Sequence, residues 1–459
     1  MAALPFVLLA SPSVASAGPA PVFTMYVPLE EGDVSNALDV VDELTVTYTD
    51  LYTAIDITAA ADGSVIYWDH WEDGYESDIT NPQDDSTLIW GGGDTGGVPN
   101  ITDATIAPGD TDFDIDAGTV IFLENTVELP RDDTQFRFDG RDKVSSTRGF
   151  AMTRAGWDVN RGTVHAGAVA ATDTSKWGTR FDVPVGEDAG FSAFDYSGMS
   201  VMAQFDGTTV EIDADANGVY EQTAVIDEGE TVFVNGGVLV GATIRTSRPA
   251  QAHLITGERG SRFEGRWFEL FPEEIRDDNY VAAAGSTSDA QRVTVFLFNP
   301  EASAITVAAE TETGTTNVNV PAREVVSFDL PNNSGGRFTS TSDFIAISGT
   351  VAVTGNTQLY DWGYSLVPTS SLTPGVVVGW GAGNPSETEP HSPVWVTPLD
   401  NVATTGIRIY VDFDGDGTND QVDADYDGTV ASPYYTAAAL ESEKLTDAAD
   451  TTKDKTDAK

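Results

Sequence analysis

The sequence predicts an all-β protein of tandem antiparallel β-sandwich domains, about three of them followed by a partial fourth unit with a DxDxDG loop. Apolar and polar residues alternate along much of the chain, whereas helical periodicity is almost absent. The 44 glycines and 22 prolines among 459 residues divide these runs into short segments, as expected for strands joined by turns. Only 437-AAALESEKL-445, within 432–450, has a helical composition.

A repeat with a period near 100 residues indicates how the strands are grouped. Three segments share a glycine, a short strand, a small polar turn and a second apolar strand: 140-GRDKVSSTRGFAMTRAG-156, 241-GATIRTSRPAQAHLITG-257 and 336-GRFTSTSDFIAISGT-350. Matching segments precede them at 117–125, 229–237 and 323–331, and acidic hairpins are predicted around 211–221 and 307–317. This period fits one sandwich of about seven to nine strands per repeat. Chance similarity among β-rich segments is the alternative.

The repeat and the composition together predict the domain boundaries. Residues 1–17 resemble an export signal, because the apolar run 4-LPFVLLA-10 precedes the small-x-small pattern Ala15-Ser16-Ala17. The remaining predictions are a first sandwich at 24–190 with an inserted region at 66–116, a second at 191–285, a third at 286–385, a partial β unit with a calcium-type acidic loop at 393–435, and a polar C-terminal tail at 436–459. No later apolar run reaches about 18 residues, so no membrane span is predicted.

The charge composition excludes two classes of partner. The chain carries 73 acidic and 23 basic residues, which gives a net charge of −50. Such a surface repels nucleic acid and anionic lipid. Only two of the six lysines precede residue 440. An acidic, lysine-poor surface suits salty water, where charge repulsion is screened, so we expect a marine or halophilic extracellular setting. An ordinary acidic secreted protein is the alternative, and the absence of cysteine leaves the compartment open.

Part of the predicted second domain resembles a known family. The segment from 205-FDGTTVEIDADANG to VLVGATIRTSRPAQAHLITG-257 is similar to the N-terminal region of bacterial proteins grouped as IgGFc-binding-like. The chain departs from that pattern at Ala250 and Gln251, where the family is more apolar. The segments 69-DHWEDGYE-76 and 137–157 also look like parts of uncharacterised secreted bacterial and fungal proteins. The resemblance implies an extracellular surface or adhesive protein built from β-sandwiches.

The strongest motif for chemistry is the acidic stretch 412-DFDGDGTNDQVD-423. Asp412, Asp414, Asp416, Asp420 and Asp423 occupy positions 1, 3, 5, 9 and 12 of a calcium loop, with Gly417 at the turn. Calcium prefers six to eight oxygen ligands, and carboxylates spaced in this way on a tight loop supply them. A second set, Asp423, Asp425 and Asp427 with Gly428, follows at once and shares Asp423 with the first. A metal-free acidic hairpin is the alternative.

A related loop at 213-DADANGVYE-221 gives a second candidate metal site. Asp213, Asp215 and Asn217 occupy positions 1, 3 and 5, and Glu221 occupies position 9, but the twelfth position is Ala224. A solvated hairpin tip is the competing interpretation.

The stretch 66-IYWDHWEDGYESD-78 is the most enzyme-like part of the chain. Aromatic rings and carboxylates surround one of only four histidines, and these residue types occur in glycosidase and glycan-binding sites. The candidate ligand-binding residues are Trp68, His70, Trp71, Glu72 and Asp73. Strand alternation, however, places Asp69 and His70 on opposite faces, and Glu72-Asp73-Gly74 suits a hairpin turn. A packed strand ending in an acidic turn is therefore the competing interpretation.

Basic residues are concentrated between positions 131 and 161, where seven of the 23 occur. A polyanion-binding surface is one interpretation, since arginine suits sulfate and carboxylate groups. Pairing with aspartates of the same window, among them Asp139 and Asp142, is the other.

The sequence therefore predicts a secreted, non-enzymatic protein of the cell surface or matrix that acts in adhesion or as a structural module, with calcium as its cofactor. Its expected partner is an extracellular glycan or protein. The alternative is a glycan-binding module or a glycoside-active enzyme that uses the 66–116 region.

Overall fold

The computed structural model describes residues 20–41, 50–84, 86–91, 115–158, 166–260, 265–286, 291–352, 362–378, 394–399, 407–412, 418–424 and 429–447. Strands dominate this part of the chain and pair antiparallel throughout the named sheets, which confirms the all-β, multi-unit fold. The predicted export signal lies outside the described residues. Among the described residues, none of the helices has the length and apolar character needed to cross a lipid bilayer.

Two four-stranded sheets form the first unit. Its elements are β1 (Phe23–Tyr26), α1 (Glu31–Val41), β2 (Asp50–Ala59), β3 (Ile66–Asp69), β4 (Leu88–Trp90), β5 (Val120–Glu128), β6 (Lys143–Ser146), β7 (Phe150–Asp158) and β8 (Ala166–Ala170). One sheet has the order β1-β6-β3-β4 and the other β5-β2-β7-β8. Apolar side chains from both sheets, including Ile57, Trp68 and Met152, form the core between them.

The second unit is built around one long strand. Its strands are β9 (Gly178–Asp182), β10 (Tyr196–Ala203), β11 (Thr208–Asp213), β12 (Gln222–Ile226), β13 (Thr231–Val234), β14 (Thr243–Gly257) and β15 (Gly265–Leu270). Residues 243–246 of β14 pair with β11, residues 250–257 pair with β10, and the register on β9 shifts between Arg245 and Ala250. The two halves of β14 therefore belong to the two layers of the sandwich.

The third unit repeats this arrangement. Its strands are β16 (Asp277–Ala282), β17 (Gln291–Phe298), β18 (Ile305–Thr311), β19 (Gly314–Val320), β20 (Val325–Asp329), β21 (Gly336–Ala352) and β22 (Gly363–Ser365). The 17-residue β21 pairs with β16 and β18 along its first half and with β17 and β22 along its second half.

All three units share one strand order. The pairings of β9 to β15 match those of β16 to β22 strand for strand, and the first unit has the same order with the long strand divided into β6 and β7. The segments aligned in the sequence at 140–156, 241–257 and 336–350 lie on these equivalent strands. Short 3₁₀ helices at Thr174–Lys176, Glu273–Ile275 and Thr369–Ser371 begin 99 and 96 residues apart, close to the period of the sequence repeat.

This equivalence corrects the expectation that residues 66–116 are inserted. Strands β3 and β4 form the same hairpin that β11 and β12 form in the second unit, and Trp68 lies in the core. Compared with the second unit, the first has a longer connection between the two strands of this hairpin, at 70–87. Residues 92–114 lie outside the described residues. The cause is pairing: β3 hydrogen-bonds to β6 on one side and β4 on the other, so it is integral to the sheet.

The last strands form smaller sheets. They are β23 (Val394–Val396), β24 (Ile407–Ile409), β25 (Val422–Ala424), β26 (Val430–Ala431), β27 (Tyr435–Ala437) and β28 (Glu443–Asp447). The helix expected near 437–445 is not formed, because β27 pairs with β24 and β28 pairs with β23 and β25. The expected polar tail at 436–459 therefore begins with two paired strands.

Helix α1 was not predicted, and it lies where the first two units meet. Its apolar residues Val34, Leu38 and Val41 pack with Tyr196, Ile255 and Trp267 of the second unit. These residues follow a helical spacing that covers about two turns, a short signal in a chain dominated by strand alternation.

Gly167 on β8 makes room for a tryptophan of the second unit. A Cβ at Gly167 would overlap the Trp267 ring. We expect Gly167→Ala to lower the free energy of unfolding by about 1–3 kcal/mol, because the buried indole must move. Urea unfolding of the full chain measures this loss. Gly149→Ala is the matched control, since its added methyl group meets only Ala60 Cβ at 3.7 Å. Equal stability of the two variants would show that the junction accommodates the methyl group.

Candidate metal centre and acidic loops

The β3 and β6 pairing brings His70 and Asp142 together. Asp69 and Lys143 are register partners at the ends of these antiparallel strands. The next residue along β3 is His70 and the residue before β6 is Asp142, so both lie at the same end of the ladder. Residues separated by 72 positions in the sequence thereby become neighbours.

His70, Glu72 and Asp142 direct one ligand atom each towards a common point. His70 Nδ1 lies 3.2 Å from Asp142 Oδ2 and 3.8 Å from Glu72 Oε2, and the three candidate atoms are mutually within 4.8 Å. His70 is 5% exposed, and the side chains of Glu72 and Asp142 are 1% and 0% exposed. The group is therefore almost completely withdrawn from solvent.

Hydrogen bonds from the surrounding chain fix the two carboxylates. Glu72 Oε1 accepts from Arg137 N at 2.9 Å and from the Arg131 guanidinium. Asp142 Oδ2 accepts from Trp68 Nε1 at 3.0 Å, and Asp142 Oδ1 accepts from Trp71 N at 3.3 Å. Glu72 Oε2 and His70 Nδ1 have no hydrogen-bond partner and are buried. Glu72 Oε1 is thus held by hydrogen bonds, while Glu72 Oε2 remains available to bind a ligand.

The electrostatic environment disfavours further negative charge. Burial, followed by the charge of Glu31, raises the pKa of Asp139 well above its usual range, and burial together with Glu72 does the same for Asp142. Burial also raises the pKa of Glu72. Burial lowers the pKa of His70, so its imidazole is neutral near pH 7. The Arg131 guanidinium pairs with Glu72 and Asp139, but burial outweighs its charge at both carboxyl groups.

The two tryptophans near this group contribute to packing. Trp68 is fully buried, so its faces are not open to a sugar. Trp71 is half-buried; its Nε1 donates to Asp139 Oδ1 at 3.0 Å, and the Arg141 guanidinium lies 4.0 Å from its ring centroid. Asp73 is exposed and accepts from Ser86 Oγ. The structure thus brings His70 and Glu72 together with Asp142, and it leaves Asp73 at the surface.

Asp69 faces away from this group, as strand alternation indicated. Its Oδ2 accepts from Glu76 N at 2.9 Å. The basic residues of the neighbourhood are paired internally: Arg131 with Glu72 and Asp139, and Arg137 with Glu128.

The Asp213 loop forms the equivalent hairpin of the second unit. Asp213 accepts from Asn217 N at 3.1 Å and from Gly218 N at 2.7 Å, so its carboxylate closes the turn. Asp215 also accepts hydrogen bonds from Asn217. Glu221 lies close enough to bind the same cation as Asp213 and Asp215. The predicted residues are therefore together, with their oxygens engaged by backbone N–H groups of the loop.

The structure describes part of the Asp412 loop. Asp412, Asp420 and Asp423 lie within the described residues, while Asp414, Asp416, Asp425 and Asp427 lie outside them. Asp420 N donates to Val411 O at 2.8 Å, which brings the two ends of the loop together, and Asp423 lies on β25.

Two members of the buried cluster were not singled out from sequence as site residues. The sequence indicates Asp139 and Asp142 only as partners for arginines. Their one sequence signal is position, because they flank the glycine that begins the repeated long strand. No family model, curated protein or solved structure matches this chain.

Proposed function

We propose that this chain is a secreted, non-enzymatic protein of the cell surface or extracellular matrix, in which tandem β-sandwich units form an adhesive or structural module with calcium-stabilised acidic loops. The observation that carries the proposal is the succession of three units with one strand order, in which buried apolar residues join the first unit to the second and the second to the third. Repeated units of this kind are suited to spanning a distance or presenting a surface.

The contacts between units support a fixed arrangement. Between the first and second units, Lys143 Nζ lies 2.7 Å from Glu228 Oε1, and Arg141 Nε donates to Gly229 O at 3.1 Å. Between the second and third units, Arg276 pairs with Asp182 at 2.5 Å, and Arg266 donates to Thr350 O at 2.6 Å. These ion pairs and hydrogen bonds across the two junctions restrain the motion of the units relative to each other.

The rival enzymatic function receives no comparable support from the described residues. A glycosidase needs two carboxylates beside an accessible sugar site. In the described part of the chain, Trp68 is buried and Glu72 is bound by Arg131. The 66–91 segment therefore lacks an open aromatic platform.

Calcium binding is tested by its effect on stability. A loop of the extracellular type, with an affinity of about 0.1–1 mM, is stabilised by about 1.4–2.7 kcal/mol in 10 mM Ca²⁺. We expect Ca²⁺ to raise the melting temperature of chelator-treated protein, and the double variant Asp414→Asn, Asp416→Asn to lose this response. Asp116→Asn, a change at an exposed acid of the first unit, is the control that keeps it. A melt that is unaffected by Ca²⁺, with no heat in calorimetry, would remove calcium from the proposal.

Adhesion is tested separately with an array of glycans and matrix proteins, in the presence and absence of Ca²⁺. Binding that is retained by Trp71→Ala and lost on calcium removal supports an adhesive module. Turnover of a glycan in the same assay would instead support the enzymatic alternative.

A further inference from the structure

We propose that His70, Glu72 and Asp142 bind one divalent cation of the zinc class, buried where the 70–76 segment meets the 131–142 segment. This site is distinct from the calcium loops, and it lies in the first unit next to Arg141, which contacts the second unit.

Two unpartnered buried atoms point to a ligand at this position. His70 Nδ1 and Glu72 Oε2 have no hydrogen-bond partner, although both are enclosed by the protein. A buried polar atom without a partner destabilises the fold, because its hydrogen bonds to water are lost and not replaced. Both atoms face Asp142 Oδ2 across the same small space. One cation in that space would satisfy both of them.

The distances fit a small transition-metal ion. Zinc binds imidazole nitrogen at about 2.0–2.1 Å and carboxylate oxygen at about 2.0–2.2 Å, which places tetrahedral ligand atoms roughly 3.3 Å apart. The observed separations from His70 Nδ1 are 3.2 Å to Asp142 and 3.8 Å to Glu72. Calcium and magnesium take oxygen ligands, whereas imidazole suits zinc, iron, nickel and copper. The histidine therefore decides the class of cation.

The local charge favours a divalent ion. Three carboxylates, from Glu72, Asp139 and Asp142, share this space with the single guanidinium of Arg131, which pairs with the first two. Ionised together, these four groups carry two excess negative charges. A dication balances them, and without it the carboxylates must retain protons.

The surrounding contacts resemble the outer shell of a metal site. Ligating histidines commonly donate their second N–H to a backbone carbonyl, and ligating carboxylates are themselves hydrogen-bonded. In His70, Nδ1 is the nitrogen that has no hydrogen-bond partner. Trp68 Nε1 orients Asp142, and Arg137 N orients Glu72. The ligands are thus held in place before the cation arrives.

The bound cation would fix a contact between two units. Tyr75 and Arg141 belong to the two segments that it joins, and Tyr75 OH donates to Arg141 O at 2.8 Å. Arg141 in turn donates to Gly229 O of the second unit. Locking the two segments together stabilises this contact.

The test uses the tag-free full chain, stripped with EDTA and dialysed. Titration with Zn²⁺ in a calorimeter is expected to show one tight site, and Co²⁺ is expected to give visible d–d absorption that Zn²⁺ abolishes. Glu72→Gln and His70→Gln are each expected to weaken Zn²⁺ binding by more than about 100-fold, because losing a direct ligand exceeds the loss from an outer-shell change. Asp73→Asn, an exposed acid of the same loop, should bind as the wild type does.

Several results would overturn the site. Wild-type protein that binds neither Zn²⁺ nor Co²⁺ rejects it, and so does equal binding by wild type, His70→Gln and Glu72→Gln, which would place the ion elsewhere among the acids. If a variant does not fold, X-ray absorption of the zinc-loaded wild type decides: we expect an imidazole nitrogen at about 2.0–2.1 Å, and its absence rejects the site. The double variant Asp414→Asn, Asp416→Asn should retain the zinc site, so the calcium and zinc proposals fail independently.

Discussion

Replacing Arg154 by alanine is expected to lower the free energy of unfolding by about 3–5 kcal/mol, the largest loss that we expect from one change in this chain. Arg154 lies on β7 and is fully buried. Its NH2 group pairs with Glu31 Oε1 at 2.5 Å, and its NH1 group donates to Pro28 O. Alanine would leave the Glu31 carboxylate without a cation inside the protein and would also open a cavity.

The loss should be large because Glu31 cannot turn to solvent. Its carboxylate also accepts from Thr53 Oγ1 at 2.8 Å and from Gly140 N at 3.0 Å, which ties α1 to β2 and to the start of the repeated long strand. Urea unfolding of the full chain measures the effect. Arg137→Ala is the matched control, because the Glu128 carboxylate that it pairs with is 57% exposed, and an exposed pair contributes no more than about 1 kcal/mol. Similar losses of unfolding free energy in the two variants would contradict the conclusion that the Glu31 carboxylate stays buried without a cation.

Replacing Asp33 by asparagine is expected to stabilise the protein above pH 7 by about 2–4 kcal/mol. Burial, reinforced by the neighbouring charge of Glu30, raises the pKa of Asp33 to about 7. The folded protein therefore holds a proton there at pH values where the unfolded chain, with a pKa of about 3.9, has released it. Stability falls as pH rises from about 4 to about 7, and it stays low above that range. Asparagine is always neutral and removes this dependence.

The Asp33 hydrogen bond survives the substitution. Ser200 Oγ donates to Asp33 Oδ2 at 2.7 Å, and an amide oxygen also accepts this hydrogen bond, although more weakly than a carboxylate does. The position in the first turn of α1 favours an anion by about 0.3–1 kcal/mol, less than the cost of burying the charge. Urea unfolding should show a gain at pH 8 that shrinks as pH is lowered towards 5. The exposed Asp116→Asn serves as the control, and a gain that does not depend on pH would reject the assigned cause.

Local patterns in the sequence were sufficient to predict the strands of the repeated segments, among them β14 and β21. Alternation places Ile66 and Trp68 on the core side of β3 and turns Asp69 away, as the structure has it. Helix α1 was missed because its apolar spacing is short, and the composition of 437–445 wrongly indicated a helix. There, pairing of β28 with β23 and β25 outweighs the local preference for helix.

The sequence by itself determined the all-β class, the spacing of the repeated long strands and the residue types of the acidic loops, because these follow from periods of two and from turn residues. Only the tertiary structure decided that 66–69 is part of the sheet and that His70 and Glu72 meet Asp142. Such a meeting depends on the register between strands that are far apart in the chain. Burial, which sets the protonation of these groups, likewise arises only when the two sheets close on each other.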